Sequence, residues 1–91
     1  MYGVGCIFKF DYVHDGIIEK GHEFTLIESD DSLFVFRILC SKGFHKGEIE
    51  GYVKFEKEGA NNISETHLIN ELKRNFLEIK WSTFKIIKPN P

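Results

Sequence analysis

Apolar side chains fall at every second position from Cys6 through Phe8 and Phe10 to Tyr12, with Lys9 and Asp11 between them. Successive side chains leave a strand on opposite faces, so this stretch predicts a strand with one apolar side. His14-Asp15-Gly16 and Lys20-Gly21 carry turn residues, and the apolar pair Ile17-Ile18 between them is expected to close one end of the core. Residues 22–28 are again β-rich and end at the polar turn Ser29-Asp30-Asp31-Ser32. The next run, residues 33–40, is apolar on both sides apart from Arg37. Phe34, Phe36, Ile38 and Cys40 would share one face, and Leu33, Val35 and Leu39 the other. That pattern suits the central strand of a sheet, covered on each side and joined in a hairpin to residues 22–28.

Ser41-Lys42-Gly43-Phe44-His45-Lys46-Gly47 is a loop signal whose aromatic ring has no periodic partner. After it, Ile49, Gly51, Val53 and Phe55 alternate with Glu48, Glu50, Tyr52, Lys54 and Glu56. This predicts a half-buried strand with a charged outer face, Gly51 marking a bulge or a close backbone approach. The period then changes to that of a helix. Ser64 suits the N-cap, Ile63 and Leu68 match a hydrophobic staple, and Leu68, Leu72 and Phe76 recur at spacing four with Ile69 widening the stripe. The helix ends at Asn75 or continues to Glu78. Residues 83–88 read as the last strand with Phe84 and Ile86 inward, and Pro89 and Pro91 predict a short irregular tail over 89–91.

These elements make one α+β domain, mostly β, spanning residues 1–91. It is expected to be a small, strongly bent antiparallel sheet of four or five strands, with one amphipathic helix inserted before the last strand. In strand number and spacing the layout resembles a partly open SH3-like barrel over residues 5–56 and 83–88. An α+β roll fits the same pattern, and fold alone does not assign function.

Composition narrows the partners. The chain has 91 residues, 12 Lys plus Arg against 14 Asp plus Glu, and a formal net charge of −2. Residues 1–45 carry 4 basic and 7 acidic side chains, and residues 46–91 carry 8 and 7, so the charge moves from −3 to +1 along the chain. Nucleic acid is therefore a less favoured partner overall, although Lys80, Lys85 and Lys88 follow the last acid, Glu78. No apolar run approaches the roughly 20 residues that cross a bilayer, and the N-terminus lacks a secretory pattern, so a cytoplasmic location without membrane contact is expected. Cys6 and Cys40 are then reduced and at least partly buried. A core of this size leaves a small stability margin, which homodimerisation would supplement.

Candidate chemistry is sparse. The four histidines lack a metal-binding spacing: His14 adjoins Asp15, His22 adjoins Glu23, and His45 and His67 lie far off in sequence, so surface histidines and no metal or other cofactor are expected. Cys40 and His45 could pair as a thiol and its base, but no orienting group or oxyanion donors accompany them. Gly3-Val4-Gly5 lacks the third glycine and the following helix of a phosphate loop. The chain is therefore read as a noncatalytic protein-interaction or regulatory module, the partner being an unidentified protein. Phe44, Tyr52 and Trp81 would serve as anchors, with Glu48 and Glu50 setting charge complementarity. The alternatives are weak single-stranded nucleic-acid binding through Lys42, Phe44, Lys46, Lys85 and Lys88, and a small cysteine-dependent enzyme.

Overall fold

The computed structural model describes residues 1–89, so Asn90 and Pro91 of the expected tail lie outside the described residues. Strands β1 (Ile7–His14), β2 (Ile17–Glu19), β3 (Glu23–Glu28), β4 (Phe34–Lys42) and β5 (Ile49–Lys54) precede helix α1 (Glu65–Asn75) and strand β6 (Glu78–Lys88). All six strands join one antiparallel sheet in the order β2-β1-β3-β4-β5, with β6 on the other edge of β1. Five of these strands are substantial, and β2 has three residues. The sheet curls into a small half-barrel of SH3-like layout, with the helix before the last strand.

The period-two faces of β1, β3 and β4 generate the core. Phe8, Phe10, Phe24, Leu26, Phe36 and Ile38 are each at most 1% exposed. Aromatic rings dominate the packing, with Phe10 stacked on Phe24 at 4.8 Å and Phe76 set edge-on to Phe10 at 4.9 Å. The helix contributes Leu68 and Leu72, both wholly buried. Its Ser64 cap accepts the His67 N–H, and it stops at Asn75, with Phe76 already in extended conformation.

Several expectations need correction. Residues 33–40 do lie inside the sheet, between β3 and β5, but β1 is the strand that meets three others. The expected faces of β4 are exchanged at its start, where a register shift puts Val35 in the core and leaves Phe34 half-buried against Tyr52. Its outer face is not fully covered: Leu33 is exposed, and Arg37 and Leu39 are half-buried. Ile17 and Ile18 do not close the core. They sit exposed on the short edge strand β2, because the tight Asp15-Gly16 turn returns the chain along the outside of β1. The last strand starts at Glu78, five residues before the expected position, because Trp81-Ser82-Thr83-Phe84 form an irregular bulge within it. Thr83 Oγ1 spans that bulge, accepting the Asp11 N–H at 2.7 Å and donating to the Lys80 carbonyl at 2.6 Å.

Helix side chains replace a missing strand at the outer edge of β5. Asn75 accepts the Tyr52 N–H at 3.2 Å and donates to the Tyr52 carbonyl at 2.9 Å, while Arg74 donates to that carbonyl as well. One strand repeat further on, Glu71 accepts the Lys54 N–H, and His67 Nε2 meets the Lys54 carbonyl. Unpaired edge groups would otherwise invite a second chain, so the helix both fills the core and blocks this edge. The arrangement explains Gly51. It has no left-handed backbone, but a Cβ there would run into Asn75 Oδ1 and lie 2.6 Å from its Cγ.

Candidate functional site

A cleft of about 370 Å³ opens at the end of the half-barrel where β4 turns into β5. Tyr12, His45, Glu48, Glu50, Phe76 and Leu77 are among its walls. Glu50 reaches it through a bulge in β5. The β4 register jumps from Ile38↔Gly51 to Leu39↔Ile49, leaving Glu50 without a cross-strand partner. An extra residue re-aims the neighbouring side chains. Ile49 therefore turns outward and is 39% exposed, while Glu50 is half-buried and lines the cleft beside Tyr12 and Phe76. This reverses the expected inward Ile49 and outward Glu50. Both features proposed for Gly51 are present, the bulge and the close approach.

Glu50 Oε1 is shielded from solvent and accepts no hydrogen bond from the described residues. Buried carboxylate oxygens ordinarily have a donor, so this atom is the least satisfied group of the site. Glu48 accepts from His45 Nδ1 at 3.0 Å, and Glu19, at the end of β2, faces both His22 and His45. No lysine or arginine pairs with Glu19, Glu48 or Glu50 among the described residues. Tyr12 feels this acidity: burial, then Glu50 and Glu19, push its phenol up to about 12.

The expectation of surface histidines holds for His14 but fails for His22, which is 2% exposed. Gly43 leaves room for its ring, since a Cβ there would meet His22 Nδ1. His45 packs beside it, ring centroids 5.2 Å apart, with its side chain 26% exposed. The imagined Cys40–His45 pair is replaced by Cys40 and His22, whose Nδ1 lies 3.8 Å from the sulfur. Cys40 is 1% exposed and its thiol donates to the Lys42 carbonyl. Burial raises its pKa. A buried, protonated thiol is a poor nucleophile.

The aromatic candidates separate. Phe44 stands free at 91% exposure, its ring edge-on to His45 at 5.4 Å. Trp81 is 37% exposed, touched by Lys73 Nζ 5.7 Å from its centroid, and lines a smaller hollow with Phe76, Leu77 and Ile79. Phe76 and Leu77 belong to both hollows, so the Trp81 surface continues into the acidic cleft. Leu77, wholly exposed between them, was not singled out from the sequence. Its signal was an apolar residue just past the helix with no periodic partner. Tyr52 lies elsewhere, opposite Arg37 and packed on Phe34 at 5.0 Å.

The nucleic-acid candidates also divide. Lys42 and Lys85 fall on one cross-strand row, Lys85↔Lys9↔Glu23↔Lys42, which adds Lys9, and Lys88 stands next to it opposite Ile7. Glu23 takes Lys42 at 3.4 Å. Phe44 and Lys46 belong instead to the loop beside the acidic cleft. A larger hollow of about 620 Å³ lies at the other end of β4, but its acids serve their own turn: Asp31 accepts the Leu33 N–H and Asp30 pairs with Arg37 at 3.9 Å.

Comparison of the chain with protein-family models, with curated proteins and with solved structures returns no match. No helix among the described residues is long and apolar enough to cross a membrane.

Proposed function

We propose that the chain is a noncatalytic binding module whose acidic cleft receives a lysine or arginine side chain of a protein partner, with Leu77, Trp81 and Phe44 holding apolar residues on either side. The observation that carries this reading is Glu50 Oε1, an oxygen shielded from solvent and lacking a donor among the described residues. A cationic side chain entering between Tyr12 and Phe76 would supply that donor, and charge-assisted bonds of this kind are the strong ones. Aromatic and arginine side chains seated in desolvated pockets carry much of the energy of recognition surfaces. Tyr52 is not part of this surface. The buried thiols of Cys6 and Cys40 accord with a noncatalytic role and with a reducing compartment such as the cytoplasm.

The test is a display selection of short peptides against the purified protein, followed by anisotropy measurements on the enriched sequences. Basic residues flanked by apolar ones should be enriched, and Glu50→Gln should weaken their binding about tenfold or more, given a charged hydrogen bond of about 1.5–3 kcal/mol. Enrichment without basic residues, or unchanged affinity of Glu50→Gln, would overturn the assignment.

A second reading, single-stranded nucleic-acid binding, rests on the lysine row of the outer sheet face, where Lys9 and Lys85 stand directly opposite each other despite like charge. Titration with labelled DNA and RNA decides it: phosphate contacts make affinity fall steeply with salt, and absence of binding at low salt removes this reading.

A further inference from the structure

Glu19, His22 and His45 come from three separate places in the chain: the end of β2, the residue before β3, and the β4–β5 loop. Each presents a donor atom within 4.8 Å of the other two. His22 Nε2 lies 3.3 Å from Glu19 Oε2, and His45 Nε2 lies 3.8 Å from Glu19 Oε1. A tetrahedral zinc ion with bonds of about 2.0–2.1 Å separates its ligand atoms by about 3.3–3.4 Å. The two separations from Glu19 lie at that edge length and about half an ångström beyond it, and the three ligand atoms fall within 4.8 Å of one another, so a cation would draw the side chains modestly together.

The surrounding bonds favour the ligand tautomer of His45. A carboxylate only accepts, so the proton of neutral His45 is placed on Nδ1, donating to Glu48 Oε2 at 3.0 Å. Its Nε2 then offers a lone pair toward Glu19. A carboxylate on the far nitrogen is also the usual support of a metal-bound histidine, fixing the ring and raising its basicity. His22 Nε2 donates to Glu19 Oε2 at 3.3 Å, and an ion would displace that proton while Nδ1 carries its own toward the Cys40 sulfur at 3.8 Å. With that proton displaced, two imidazole lone pairs and a carboxylate would converge on the ion. The ring of His22 is held rigidly, since its side chain is 1% exposed and Gly43 leaves it space. Glu19 and His45 are 23% and 26% exposed, so an ion reaches them directly from solvent.

The geometry points to a binding site for a divalent first-row transition ion of the zinc class, with Glu19, His22 Nε2 and His45 Nε2 as ligands, Glu48 orienting His45, and the remaining position open to water or a ligand. Imidazole and carboxylate donors suit such ions, and three protein ligands leave four-coordinate zinc one open position. The neighbouring group of His45, Glu48 and Glu50 is the weaker cage, having one imidazole whose Nδ1 is already bonded to Glu48. A bound ion would tie the β2–β3 turn to the loop that carries Phe44. It leaves Glu50 out of the ligand set, and three carboxylates against a doubly charged ion keep the cleft acidic. The site therefore does not depend on the cleft having a partner.

Metal-stripped protein titrated with Co²⁺ should develop the visible absorption of a four-coordinate ion at one equivalent, and Zn²⁺ should displace it. Glu19→Gln and His45→Gln change partly exposed side chains and should preserve the circular-dichroism spectrum. Each should weaken Zn²⁺ binding about tenfold or more, and Glu48→Gln about tenfold, the scale of outer-shell losses. Cys40→Ser should retain the Co²⁺ spectrum. The assignment is overturned by absence of saturable Co²⁺ and Zn²⁺ binding to the folded wild type, by unchanged affinity in both ligand variants, or by a spectrum that disappears with Cys40→Ser. None of these readouts uses a peptide, so they stand or fall separately from recognition by Glu50.

Discussion

Gly51→Ala tests the proposition that α1 acts as the missing neighbour of β5. In a strand with ordinary backbone angles, replacing glycine by alanine is expected to stabilise by about 0.4–1 kcal/mol through the unfolded state. Here the sign should reverse. The added methyl would displace the Asn75 amide, which accepts the Tyr52 N–H and donates to the Tyr52 and Glu71 carbonyls. The Tyr52 carbonyl keeps Arg74, so the main loss is the Tyr52 donor, at about 1–3 kcal/mol for a group left unpaired, plus the weaker amide bonds. A net cost of about 1–3 kcal/mol is expected, against a total stability of roughly 5–14 kcal/mol for a domain of this size. Asn75→Ala should cost a similar amount, and the double variant clearly less than the sum, with a coupling of about 1 kcal/mol or more because both changes remove the same contact. A residual cost is expected in the double variant, since the new methyl would still lie 3.0 Å from the Cβ at position 75. Urea unfolding with unchanged slope measures all four proteins. A neutral or stabilising Gly51→Ala, or strictly additive costs, would refute the edge-blocking argument.

Leu72→Ala should cost about 2–5 kcal/mol, read as a lower urea midpoint, because the wholly buried side chain leaves a cavity between helix and sheet. Glu71 supplies an acid-sensitive anchor. Burial raises its pKa, but the Arg74 hydrogen bonds and the Lys54 N–H outweigh burial and hold the carboxyl below its ordinary range. A depressed carboxylate stabilises the fold above the unfolded pKa of about 4.3, and that contribution is lost as pH falls through the lower folded value. Glu71→Gln should therefore destabilise by about 1–3 kcal/mol near neutrality and flatten the acid limb of the stability profile; parallel acid limbs would exclude this role. At the alkaline end, burial raises Cys6 from 9.0 to about 11, and burial with Glu50 and Glu19 raises Tyr12 from 10.0 to about 12. The folded state retains these protons better than the unfolded state, so stability should decline as pH rises from about 9 toward 12. Tyr12→Phe should remove part of that decline in thermal unfolding, and an unchanged alkaline limb would show that Tyr12 is not its source. Phe44→Ala should alter stability by no more than about 0.5 kcal/mol, because the ring is almost fully exposed; a larger loss in urea unfolding would mean that it packs in the folded state.

Local pattern determined a good part of the architecture. Alternation in residues 6–12 and the spacing of Leu68, Leu72 and Phe76 express the periods of strand and helix, so these elements and their buried faces could be read directly, and the β-rich composition of residues 22–28 marked a further strand. Ser64 marked the helix start because its side chain satisfies an N–H three residues away. The same reasoning failed where one residue breaks the period. The extra Glu50 turned Ile49 out and brought a carboxylate to the cleft, and the bulge at Trp81 concealed the first half of β6. Leu33 was misplaced because an apolar residue at the end of a strand need not meet a second layer.

The candidate sites were legible only in fragments. Glu48, Glu50, Phe44 and Trp81 were visible as residue types without an interior partner, but the wholly exposed Leu77 that links their surfaces was not. Glu19, His22 and His45 have no diagnostic spacing, since their proximity arises from β1 pairing with both β2 and β3 while β4 carries the following loop back beside them. Sequence thus determined which segments must bury apolar area, because that depends on neighbours a few residues apart. Tertiary structure decided which polar atoms meet, because register shifts and glycine gaps set distances between residues far apart in the chain.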